Sequence, residues 1–224
     1  KTATAGFDIV TATGTGSAKT ISHSLSAVPH VIISKEKTGS VNDWVVYHHK
    51  NTSAPETDKL ILNENNATSD DSCWNDTTPT SSVFSVSGAS VVNRSSSTYV
   101  YYLFSEKQGF SKFGSYTGNG NANGPFVYTG MKSSFIMLKE TSGTSDWSIY
   151  DNKREPFNVA DSTLEANTSD AEAVVSGRPI DILSNGFKLR GDSSYTNESG
   201  ASYIYMAFAE SPFVSSGGIP TNAR

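Results

Sequence analysis

Cysteine is almost missing from this chain. Cys73 is the single one in 224 residues, so no intrachain disulfide can form, and no CxxC or Cys/His spacing marks a structural metal. Beside Trp74 it reads as a packing residue. Long apolar runs are missing too: none approaches the ~20 residues a membrane-spanning helix needs. The opening KTATAGFDIV lacks the hydrophobic core of a secretion signal and an initiator Met, which reads as a domain cut from a longer chain. Basic clusters are absent and the net charge is −5, so the chain cannot neutralise a phosphate backbone, and nucleic acid is excluded as the expected partner. Nor is there a long pattern of 3.6-residue period. The one helix-like stretch is Ser169–Val175, where Ser169 would cap a single turn.

What is present is aromatic and β-forming. Eleven Phe, ten Tyr and three Trp are enough to build a core, although only 36% of the chain is hydrophobic and Ser, Thr, Asn and Gly fill the rest. Six Asn-x-Ser/Thr strings, at Asn51, Asn66, Asn75, Asn93, Asn167 and Asn197, are what such a composition generates by chance.

The rarest residues show a duplication. Asp43-Trp44-Val45-Val46-Tyr47 returns as Asp146-Trp147-Ser148-Ile149-Tyr150, and Phe84/Val86 returns as Phe187/Leu189. The run 99–106 (YVYYLFSE) returns at 203–210 (YIYMAFAE), and Phe7–Gly14 matches Phe113–Gly120. Four matches in the same order, with a slowly drifting offset, are what one duplication followed by small loop insertions leaves behind. Strand signals fill each copy: short apolar runs at 31–33 and 135–138, alternation at 44–46 and 147–149, and Tyr-rich runs that suit central strands. The expected fold is therefore all-β, two tandem sandwich-like antiparallel repeats of about 105 residues. The first repeat is placed at 1–112 and the second at 113–224, with Phe110 and Phe213 at equivalent ends.

Residues able to carry chemistry are few. All four histidines, His23, His30, His48 and His49, lie in the first copy. His48 and His49 suit an acid–base pair or metal ligands, but neighbours on a strand point to opposite faces, and copy two has Asp151 and Asn152 there. A solvated strand end is the plainer reading. Glu106 and Glu210 are equivalent, but a glycosidase pair must face one cleft ~5–10 Å wide, and residues in separate copies need not meet. They read as caps of strand ends. Gly118–Gly124 (GNGNANG) reads as a hairpin turn, since no helix follows to make it a phosphate loop. Asp70-Asp71 lacks the spaced ligands of an EF-hand loop. No nucleophile elbow or HExxH string occurs, so no catalytic residue, metal or cofactor is expected.

The duplication sorts the aromatics. Trp44/Trp147, Phe84/Phe187 and Tyr101/Tyr205 are repeated and so read as a shared core. Trp74 has no counterpart, because copy two reads VVSGRPID there. With Asn75 and Asp76 it forms the candidate ligand contact, with pinning of its own loop as the equal alternative, and His48 and His49 form the second.

Taken together, FDIVTATGTGS (7–17), DWVVYH (43–48), WNDTTPTSSVFSV (74–86), GFSKFGSYTGNGNANGPFVYTG (109–130), DWSIYDN (146–152), LSNGFKL (183–189) and the closing NAR resemble a known domain type. It is a duplicated β domain of marine and other bacteriophage structural proteins, commonly at the C-terminal end of tail-fibre-like proteins. The resemblance implies a virion location, no catalytic residue, and Arg224 as a true C-terminus with further chain before Lys1. Implied partners are other virion proteins and a host-surface receptor, with glycans as the candidate class. A homo-oligomer would be a trimer if it follows other fibres, although no heptad encodes a stalk. A capsid or tail scaffold without a receptor is the alternative, and a polysaccharide depolymerase comes third.

Overall fold

The structure, a computed structural model, describes residues 3–39 and 43–210. Phe213 and Arg224 fall outside them. The chain divides into two compact units, 1–106 and 107–224. The sequence boundary at 112/113 sits six residues later, because the first strand of the second unit already begins at Ser111.

In the first unit the strands are β1 (Phe7–Thr13), β2 (Lys19–Ser22), β3 (Val31–Glu36), β4 (Val45–His48), β5 (Asp58–Ile61), β6 (Ser69–Asp70), β7 (Val83–Val86) and β8 (Thr98–Phe104), with a one-turn helix α1 (Ser90–Asn93). A six-stranded sheet runs β1-β8-β3-β4-β5-β6, and β2-β7 forms a small second sheet. The second unit holds β9 (Ser111–Thr117), β10 (Phe126–Tyr128), β11 (Phe135–Glu140), β12 (Ser148–Asp151), β13 (Ser162–Glu165), β14 (Ala173–Val174), β15 (Ile180–Leu183), β16 (Gly186–Leu189), α2 (Ser194–Asn197) and β17 (Ser202–Phe208). Its large sheet runs β14-β13-β12-β11-β17-β9, the same path as in the first unit, and β10-β16-β15 is the small one. Every ladder is antiparallel. The chain is all-β, with two sandwich halves of like topology.

Each core lies between a large and a small sheet. In the first unit Ile32, Val45, Tyr47, Tyr99, Tyr101 and Leu103 meet Ile21, Phe84 and Val86. In the second, Ile136, Leu138, Tyr150, Tyr205 and Ala207 meet Val127, Ile180, Ile182, Phe187 and Leu189. Phe84/Phe187 and Tyr101/Tyr205 are thus shared core, as the repeat implied. Trp44 is not. Trp147 is buried, whereas Trp44 is half-buried, stacked on Tyr102 at 6.3 Å with the Lys35 ammonium 5.7 Å above its ring. The long alkyl stem of Lys35 lets an indole remain at the surface there.

Several local expectations change. Residues 169–175 form no helix; Ala173-Val174 instead pair with β13, because an edge pairing supplies hydrogen bonds that an isolated turn cannot. GNGNANG is not a hairpin but a crossing from β9 to the small sheet, braced by Asx turns in which Asn119 and Asn121 Oδ1 accept from the amides of Asn121 and Asn123. The register also reveals a repeat overlooked in the sequence. Lys35-Glu36 and Lys139-Glu140 are equivalent, and Gly39 and Gly143 lie against the two Glu carboxylates so closely that a Cβ would sit about 2 Å from them. Asn51, Asn93 and Asn197, each in a sequon, are buried.

Candidate functional site

Asp71 is extended, Ser72–Trp74 make one 3-10 turn, and Asn75 and Asp76 follow at φ 55° and 44°. Left-handed backbone is tolerated best by Asn, Asp and Gly, which explains those two residues at this reversal. The turn points Trp74 inward: the ring is 1% exposed and meets Tyr47 edge-on at 5.8 Å. Trp74 is therefore no surface contact, and its expected ligand-binding role is corrected to core packing. The small sheet of copy two has a third strand, β15, which brings Ile180 and Ile182 into its core, and the described residues of the first unit have no third strand there. Asn75 and Asp76 remain exposed at the tip. Burial pushes the adjacent Cys73 thiol up to about 12, helped by Asp71, and Lys59 pairs with Asp71 at 2.6 Å. Nothing here draws Asp70 or Asp71 into a group of three or more ligating side chains, among the described residues.

Trp74 Nε1 finds no acceptor among the described residues. Trp74→Phe removes volume but also removes that unsatisfied donor, so a loss of no more than about 2 kcal/mol is expected. A urea midpoint on the variant checks this, and any surface-binding activity should stay unchanged.

The histidines separate as neighbours at a strand end do. His48 closes β4, is 1% exposed, and its Nδ1 accepts from the Lys50 amide at 3.1 Å. Asp151 does the same work in copy two, accepting from the amides of Lys153 and Arg154. His48 thus forms the turn, with its ring 5.5 Å from that of His49.

His49 belongs to a different group. Val31 pairs with both His48 and Phe104, so the residues just beyond those ladder ends converge at one corner of the large sheet. His30 precedes β3, His49 follows β4 and Glu106 follows β8. The His49 amide donates to the His30 carbonyl oxygen at 2.8 Å, and the two rings meet edge-on at 4.5 Å. His49 Nε2 lies 4.0 Å from Glu106 Oε1, and the Glu106 amide donates to His30 Nδ1 at 3.2 Å. One ligand atom from each of the three residues lies within 4.8 Å of the others, and all three are half-buried. His30 was missed because it is distant in sequence from His48-His49. The corresponding corner of copy two holds Ser134 Oγ donating to Asn152 Oδ1 at 2.7 Å, with Glu210 paired to Lys153.

Phe126 and Tyr128 were also missed. They alternate with buried Val127 on β10, the edge strand of the small sheet, and are 46% and 65% exposed. The Phe126 ring lies over Gly186 and the Tyr128 ring over Gly130, each within about 3–4 Å of where a Cβ would stand. Two residues apart on one strand face, the side chains stand ~7 Å apart at their roots. β2 carries Thr20 and Ser22 at the equivalent ladder positions, so the pair belongs to copy two alone. Lys188, opposite Phe126, donates its ammonium to the Gly124 carbonyl oxygen at 2.6 Å, tying the Asn-rich crossing to the same edge. No helix of the described residues is long and apolar enough to cross a membrane.

A family model described as a domain of unknown function, DUF7483, matches residues 1–212. No curated protein and no solved structure matches the chain.

Proposed function

We propose that this chain, which belongs to the DUF7483 family, is a non-enzymatic bacteriophage virion component of tail-fibre or spike type that attaches to glycans of the host surface. The sequence resemblance supports the virion setting. The observation that carries the adhesive role is the Phe126/Tyr128 pair: two flat, exposed rings resting on glycines at a strand edge, beside a crossing rich in Asn amides. Sugars present apolar C–H faces ringed by hydroxyls, and aromatic faces flanked by amide donors and acceptors complement both. The partner is a host glycan, with other virion proteins holding the chain in place.

The test is a broad glycan array, with the chain also located in the intact particle. Binding to a defined glycan set and a position at an outer tip are expected. Exchanging the rings for their copy-one equivalents, Phe126→Thr with Tyr128→Ser, should weaken binding at least ~10-fold, since each buried aromatic contact contributes ~1 kcal/mol or more. Silence on the array together with a buried position in the particle would instead favour a scaffold or decoration domain.

A further inference from the structure

We propose that the first unit binds one divalent transition-metal ion, of the zinc, cobalt or nickel kind, through His30, His49 and Glu106. The proposal rests on the geometry of that corner alone and is independent of the adhesive reading.

The donor set decides the class of metal. Two imidazoles and one carboxylate suit borderline ions, whereas calcium and magnesium require oxygen ligands in larger number. The three residues come from the ends of β3, β4 and β8, which the ladder holds side by side through Val31. Their ligand atoms lie within 4.8 Å of one another. Around an ion bound at ~2.1 Å, tetrahedral ligands stand ~3.4 Å apart, so small side-chain rotations close the site. The Glu106 amide contact to His30 Nδ1, at 3.2 Å, is at the long end of its range, so it holds the ring only weakly against turning towards an ion. Half-burial matters too: the groups are partly desolvated while solvent can still deliver an ion.

The duplication supplies an internal control. Ser134 and Asn152 replace both imidazoles in the second unit, and Glu210 there is taken by Lys153. The same backbone corner thus carries a metal-type donor set in one copy and a neutral hydrogen bond in the other. His48 stays outside the set, held by the Lys50 amide. Three protein ligands leave a coordination position for water or for an oxygen of a bound molecule.

Tag-free chain of all 224 residues is titrated with zinc chloride by calorimetry and with cobalt chloride by visible absorption. One ion per chain is expected, with a cobalt d–d spectrum and a rise in melting temperature of about 5 °C or more at saturation. His30→Ser and His49→Asn, which install the copy-two residues and so suit the fold, should each weaken binding roughly 100-fold or more. His23→Gln should leave it unchanged. On the unmodified chain, zinc should shift the imidazole nitrogen resonances of His30 and His49 but not those of His23. Absence of binding at millimolar zinc overturns the proposal. So does zinc binding that survives both substitutions, shifts confined to other histidines, or calcium binding as tightly.

Discussion

Asn197→Leu should destabilise the second unit by about 3 kcal/mol, because it removes three backbone hydrogen bonds of one fully buried amide and leaves the buried Gly191 carbonyl without that donor. Asn197 is fully buried at the end of α2. Its Oδ1 accepts from the Asn119 amide at 2.8 Å, and its Nδ2 donates to the carbonyl oxygens of Asn121 and Gly191 at 2.9 and 2.7 Å. One side chain therefore ties α2 to the β9–β10 crossing and to the end of β16. Leucine matches the size, which isolates the polar loss from any cavity. Asn93 repeats the design in the first unit, accepting from the Thr15 amide and donating to the carbonyls of Ser17 and Ser87. Asn93→Leu should act alike there. Urea unfolding measures both; a loss below ~1 kcal/mol would show that water or loop movement satisfies the freed groups.

The two units should also part company in alkali. Burial pushes the Cys73 thiol up to about 12 from 9.0, Tyr47 up to about 12 from 10.0, and Tyr101 higher still. All three are neutral when folded. Their contribution is fully present below the unfolded pKa and is lost as pH rises towards the folded value. Each pH unit crossed removes about 1.4 kcal/mol per group. By pH 11 Cys73 has crossed two and each tyrosine one, so the first unit loses about 5 kcal/mol, a large part of a typical domain's stability. In the second unit burial likewise raises Tyr150 and Tyr203, which together remove about 3 kcal/mol by pH 11, and Tyr116 is raised in the same direction. Lys139 runs the other way. Burial pulls it down to about 8 from 10.5, so in this window the folded form has released a proton that the unfolded form still binds, and stability rises with pH. That returns about 3 kcal/mol. The first unit should therefore open first between pH 10 and 11. Cys73, the sole thiol, reports it directly: alkylation at pH 10.5 should go to completion while amides of 111–208 stay protected. Simultaneous loss of both would contradict these shifts.

Strand positions and the duplication were legible in the sequence because the residues that build a core are the ones a repeat preserves. Tyr101/Tyr205 and Phe84/Phe187 stand where the offset placed them. For Trp74 the sequence left a surface contact and a pinned loop open, because an unshared residue carries no sign of its burial, and the buried ring decides for the second. Residues 118–124 resembled a hairpin since Gly and Asn signal a turn but not which sheet the next strand joins. The corner of His30, His49 and Glu106 depends on ladder register, which no local pattern carries. Phe126 and Tyr128 were open to discovery: Phe-Val-Tyr alternates, and only pairing with β16 shows that its aromatic parity faces outward.

Adhesion to the host surface through the copy-two aromatic pair is tested most directly by binding to host cells, with fluorescent chain scored by flow cytometry. The account predicts saturable binding by the natural chain and its near-complete loss in the Phe126→Thr, Tyr128→Ser double exchange, with the melting temperature unchanged. Undiminished binding by the double exchange, or no binding by the natural chain to any host cell, would contradict it.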